Sequence, residues 1–78
     1  MKTYVVNTTP DKDGHHEVHH IGCEFLPAPK NQFRLGQFSN CHPAVKEARK
    51  HFQPVNGCWH CSRECHTGQP TEAFTDAA

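Results

Sequence analysis

Runs of apolar residues divide the chain into short β-prone stretches and one helix. Tyr4, Val5 and Val6 form the first β-prone run, and Thr8 to Gly14 follows with Pro10 and Asp13-Gly14 as turn signals. His16 to Ile21 contains β-branched Val18 and Ile21 and is closed by Gly22, so the two runs predict a hairpin. Pro27 and Pro29 bar a regular helix between Cys23 and Asn31 and predict an extended loop leading back to the sheet. From Gln32 to Phe38 the pattern alternates, with Phe33 and Leu35 on one face and Arg34 on the other, which predicts a third strand.

The period then changes. Ser39 or Asn40 is a good N-cap, and Pro43 is tolerated in a first turn, where backbone donors have no helical partner. Cys41, Val45, Ala48 and Phe52 are spaced four, three and four residues apart, which places them on one stripe of a helix from about Cys41 to Phe52. Cys41 should therefore face inward. Pro54 and Asn56-Gly57 stop that helix and turn the chain into a cysteine cluster, and the sequence after Thr67 has Phe74 as its only large apolar residue. The expected organisation is a single metal-stabilised domain over residues 1–67 and a flexible tail over 68–78. Its fold class is α+β, a three-stranded antiparallel sheet with one main helix and a C-terminal zinc knuckle.

Composition makes a staple necessary to this picture, whether disulfides, a metal or oligomerisation. A chain of 78 residues with 35% hydrophobic content buries little apolar surface, so its core needs a staple. Five cysteines offer either disulfides or metal ligands. The first nine residues lack a secretory apolar stretch, and no segment of the sequence is apolar enough to span a bilayer. A cytoplasmic location is expected, where thiols stay reduced and clustered cysteines bind metal. Eight Lys and Arg balance eight Asp and Glu, so no net field attracts nucleic acid or anionic lipid. Lys46, Arg49 and Lys50, with Glu47 among them, read as a solvated helix face.

The chemistry is concentrated in Gly57 to His66, GCWHCSRECH. The spacing of Cys58 and Cys61 lets both thiolates chelate one tetrahedral ion, and Gly57 permits the tight turn that aims them. Two more ligands must come from Cys23, Cys41, Cys65, His66, His19 or His20. Cys23 follows a predicted strand and Cys41 opens a predicted helix, places where side chains can converge. The expected zinc ligands are thus Cys23, Cys41, Cys58 and Cys61, with Cys65 and His66 as alternates. Four thiolates would saturate the ion and make it structural.

Other patterns compete poorly. His16-Glu17-Val18-His19-His20 matches the H-E-x-x-H zinc-protease motif, but that chemistry needs a helix. On a strand, His16 and His20 stand about 13 Å apart. Cys61 to His66 reads as a haem-attachment motif lengthened by one residue, without the export signal such attachment requires. A thiol redox or thiolate-acceptor role for the C-x-x-C pair, or a Cys65 nucleophile assisted by His66, is the alternative function.

His20-x-x-Cys23, the run Leu35-Gly36-Gln37-Phe38-Ser39-Asn40-Cys41 with Ala44 and Ala48, and Gly57-Cys58 through Cys65-His66 resemble a family of short bacterial Cys/His-rich proteins. The resemblance covers roughly residues 16 to 67 and implies a self-contained zinc-binding domain with no assigned activity. A looser similarity runs to the zinc-binding domain of the adaptive-response DNA repair methyltransferases, and it implies a zinc-bound thiolate that accepts methyl groups. That family's closely spaced first cysteine pair and its basic DNA-facing surface are absent from this sequence. The combined expectation is a small zinc-binding protein-interaction or regulatory module, more a binding protein than an enzyme. A protein partner is expected, with no nucleic-acid or membrane partner.

Overall fold

The computed structural model describes residues 1–67, so the tail expected over 68–78 lies outside the described residues. Strand β1 spans Lys2–Asn7, β2 His16–His20 and β3 Gln32–Phe38; helix α1 spans Cys41–Arg49 and strand β4 Val55–Gly57. Single 3-10 turns occupy Pro29–Asn31 and Arg63–Cys65. The sheet order is β3-β1-β2-β4, with β1 antiparallel to both neighbours and β4 parallel to β2. The α+β class and, among the described residues, the single main helix are as the sequence predicts, but the sheet formed by those residues has four strands and is mixed. The extra strand comes from Val55–Gly57, where the Asn-Gly signal reads as a turn. Backbone pairing of His16, Glu17 and Val18 with Val55, Asn56 and Gly57 overrides it.

The β1–β2 register sets the two faces. Tyr4 opposes His20, Val5 opposes His19 and Val6 opposes Val18. Because side chains alternate along a strand, Tyr4, Val6 and Val18 share one face, and there they form the core with Cys41, Ala44, Val45 and Ala48 of α1. Val5, Glu17 and His19 lie on the opposite face. Asn40 caps α1 by accepting a bond from the His42 amide at 2.9 Å. The helix ends at Arg49, earlier than the apolar stripe predicts, because His51 and Phe52 both donate to the Ala48 carbonyl and tighten the last turn. Phe52 packs beyond the helix, against Phe33 and His16, with ring centroids 5.4 and 4.9 Å away.

Two glycines carry the geometry. Between Tyr4 and Val5 the β1–β3 register shifts, leaving Leu35 as the extra residue of a bulge, and Gly36 next to it sits at φ +125°. A Cβ on Gly57 would lie 2.7 Å from the Ser62 carbonyl oxygen and 2.8 Å from Cys65 Cβ. Only glycine lets β4 run this close to the 61–65 segment.

Candidate metal centre

Strand β2 ends at His20, and a turn closed by a bond from the Cys23 amide to the His20 carbonyl (3.0 Å) brings Cys23 back beneath the strand. At the other side β4 delivers Cys58, whose amide donates to the Val18 carbonyl at 3.0 Å. A second turn, Ser62 amide to Cys58 carbonyl at 2.8 Å, folds Cys61 back toward it. Two turns at the same end of adjacent strands thus face each other. The ligand atoms of His19, Cys23, Cys58 and Cys61 lie within 4.8 Å of one another and can hold a metal ion.

The spacing matches a tetrahedral ion. Two thiolates at about 2.3 Å from zinc stand roughly 3.8 Å apart, and a thiolate and an imidazole nitrogen roughly 3.6 Å apart. Cys23 Sγ is 3.9 Å from Cys58 Sγ, and Cys61 Sγ is 3.8 Å from His19 Nδ1. Each sulfur also accepts a backbone N–H at 3.4 Å: Cys23 from Phe25, Cys58 from His60 and Cys61 from His20. Amide dipoles aimed at sulfur favour thiolate over thiol, the form that binds metal. On the far side of the imidazole, Glu17 Oε1 lies 3.8 Å from His19 Nε2. A carboxylate behind a ligating histidine helps to orient the ring.

The electrostatics divide the three sulfurs. The Cys58 thiol is lowered to about 3 by the hydrogen bond it accepts from the Cys61 thiol, with His19 helping and burial opposing. That same bond, together with burial, pushes Cys61 up. Burial also raises Cys23. Without metal, one thiolate is therefore held by two protonated neighbours, whose protons a bound cation would replace.

The structure brings Cys23, Cys58 and Cys61 together and places Cys41, the fourth expected ligand, elsewhere. The Cys41 sulfur is bonded to Cys65 across 24 residues, so both are oxidised where the sequence predicts reduced thiols. His66 is turned away from the cluster, its Nδ1 2.8 Å from the Gly57 carbonyl. His20 is likewise occupied, since its Nδ1 accepts the Gly22 amide at 3.0 Å, and burial followed by nearby Lys2 lowers its pKa. The remaining position falls to His19, which is 2% exposed. The H-x-x-x-C spacing of His19 and Cys23 was the available signal. Strand alternation places His19 on the face opposite Val18, and the turn after β2 brings Cys23 under that face. The H-E-x-x-H segment is a strand, so its outer histidines serve packing, and His16 Nδ1 meets the Asn7 carbonyl at 2.9 Å.

Beside the cluster, a cavity of about 470 Å³ is bordered by Cys61, Cys41, Tyr4, Lys2 and Arg63. Tyr4 is buried at its wall, and burial, then the nearby Cys61 and Glu64, raises its phenol pKa. Among the described residues no helix is long and apolar enough to cross a membrane. Comparison with protein-family models, curated proteins and solved structures found no match to this chain.

Proposed function

We propose that this chain is a small zinc-binding module in which His19, Cys23, Cys58 and Cys61 hold one structural zinc ion, and that its role is recognition of a protein partner. The observation that carries the metal reading is the convergence of four donors within 4.8 Å, with a backbone amide directed at every sulfur. Zinc is the ion this donor set suits. Soft thiolates with one imidazole in a tetrahedral arrangement favour it over hard cations, and a closed set of four leaves no position for substrate. Such a site would join the ends of β2 and β4, which a three-residue strand holds weakly by itself. The partner reading is supported by the two turns around the metal, which present Ile21 and Phe25 half exposed, with Phe25 stacked on His60 at 3.8 Å between ring centroids. The resemblance to short bacterial Cys/His-rich proteins is consistent with this proposal, and a cytoplasmic setting fits it only with the Cys41–Cys65 disulfide reduced.

A second reading has one observation in its favour. Cys61 borders the cavity, so a zinc-bound thiolate there would be open to a small electrophile, as a thiolate acceptor requires. Native mass spectrometry of tag-free protein, followed by treatment with an alkylating agent, tests both. One zinc ion per chain with all three thiolates protected supports the structural reading. Selective alkylation of Cys61 with zinc retained supports the acceptor reading. Folded, metal-free protein refutes both.

A further inference from the structure

The disulfide sits inside a second set of metal donors. Cys41, His42 and Cys65 bring two sulfurs and an imidazole nitrogen within 4.8 Å of one another, apart from the His19 cluster. His42 Nε2 lies 3.4 Å from Glu64 Oε2, and nitrogen and oxygen ligands about 2 Å from one tetrahedral ion stand roughly 3.4 Å apart. We infer that the Cys41–Cys65 pair is a redox-gated metal site: when the disulfide is reduced, Cys41, Cys65 and His42 bind a second zinc ion, with Glu64 reaching the fourth position.

The backbone already suits both states. The two cysteines are 6.3 Å apart at Cα, a separation compatible with a disulfide and with two thiolates converging on one ion. Cys41 is fixed at the start of α1, next to the Asn40 cap, and Cys65 is fixed in the 63–65 turn by its amide bond to the Ser62 carbonyl at 2.9 Å. The donors cannot disperse when the S–S bond opens. His42 and Glu64 have side chains 63% and 66% exposed, so they are free to turn onto an ion. Cys41 borders the 470 Å³ cavity and Cys65 is partly exposed, which gives a small thiol a route to the bond.

The chemistry balances with a monothiol reductant. Two thiol molecules give up two protons and two electrons and become one disulfide, while the Cys41–Cys65 bond breaks into two thiols. Zinc then displaces both thiol protons to solvent and binds the two thiolates, His42 and Glu64. Oxidation reverses this, re-forming the S–S bond and releasing the ion. Zinc occupancy at this end of α1 would thus report the thiol redox poise, while the His19 cluster retains its ion.

The test is metal stoichiometry by native mass spectrometry in zinc, on protein kept oxidised and on protein reduced with a phosphine. The thiolate-to-cobalt charge-transfer band of cobalt-loaded samples is read in parallel. The expected result is one additional zinc per chain on reduction and a rise from three to five cobalt-bound thiolates. His42→Ala and Glu64→Gln change exposed side chains. In reduced protein, His42→Ala should weaken the additional ion at least tenfold, with a smaller effect from Glu64→Gln. Cys23→Ser disrupts the other cluster, so the reduction-dependent ion should persist in it. Reduced protein that gains no ion while Cys41 and Cys65 become alkylatable overturns the inference. So does an additional ion that His42→Ala leaves untouched.

Discussion

Replacing His19 with alanine tests the ligand set most directly. Structural zinc in small domains contributes roughly 10–16 kcal/mol of apparent folding free energy near neutral pH. An equal share of the lower figure among four ligands is about 2.5 kcal/mol, or about 70-fold in dissociation constant. His19 is buried, and a cavity at its position would add a stability cost that has nothing to do with metal. His19→Cys separates the two effects, because it restores a donor without restoring the ring. The assay is competition for zinc against a chromophoric chelator, on oxidised protein so that only this cluster titrates. His19→Ala should weaken zinc by about two orders of magnitude, His19→Cys should recover most of that, and Cys41→Ser should leave affinity within a few-fold of the parent. Parental affinity in His19→Ala, or a loss in Cys41→Ser as large as that in His19→Ala, would refute this ligand set.

Other consequences are as direct. At pH 7 the metal-free cluster carries the Cys58 thiolate and two protonated thiols, Cys23 and Cys61, since the first is lowered to about 3 and the others are raised. Zinc binding should therefore release about two thiol protons, and affinity should fall roughly 100-fold per unit as pH drops. Calorimetry in buffers of different ionisation enthalpy counts those protons, and a count of three would mean that Cys58 is also protonated. Gly57→Ala pushes a methyl group against the Ser62 carbonyl and Cys65. It should cost about 1–3 kcal/mol and lower the melting temperature of zinc-loaded protein by at least ~5 °C, whereas an unchanged melt would contradict the close approach. Asn56 is buried and binds the Thr67 amide and carbonyl at 2.9 and 3.0 Å and the Gly57 amide at 3.0 Å. Asn56→Ala leaves those groups unpaired, and a denaturant midpoint showing less than about 1 kcal/mol of loss would be inconsistent with these bonds. Reducing the Cys41–Cys65 bond without added metal reopens a loop between cysteines 24 residues apart and should cost about 3.5 kcal/mol by chain entropy, measured as a shift in urea midpoint against the oxidised protein.

Local pattern was enough to place β1, β2, β3 and the start of α1. In each, the side-chain period, the turn residues and the cap act over a few neighbouring residues and point the same way. The inward face of Cys41 also follows from helix spacing alone, and Cys58 with Cys61 from the reach of a two-residue chelate. What only the tertiary structure decided are the relations between distant segments. Strand β4 has three residues and an Asn-Gly pair, so nothing local marks it as a strand; it exists because α1 carries the chain back alongside β2, where parallel pairing satisfies its backbone groups. The partition of five cysteines was equally non-local. Facing inward makes Cys41 available to any partner the fold brings near, and the 63–65 turn brings Cys65 there, while the β2 turn sets Cys23 beneath the face that already carries His19. Sequence spacing limits which donors can share an ion when they are close along the chain; between donors separated by 35 or 42 residues, as Cys23 and Cys58 or His19 and Cys61 are, only the sheet register fixes the distance.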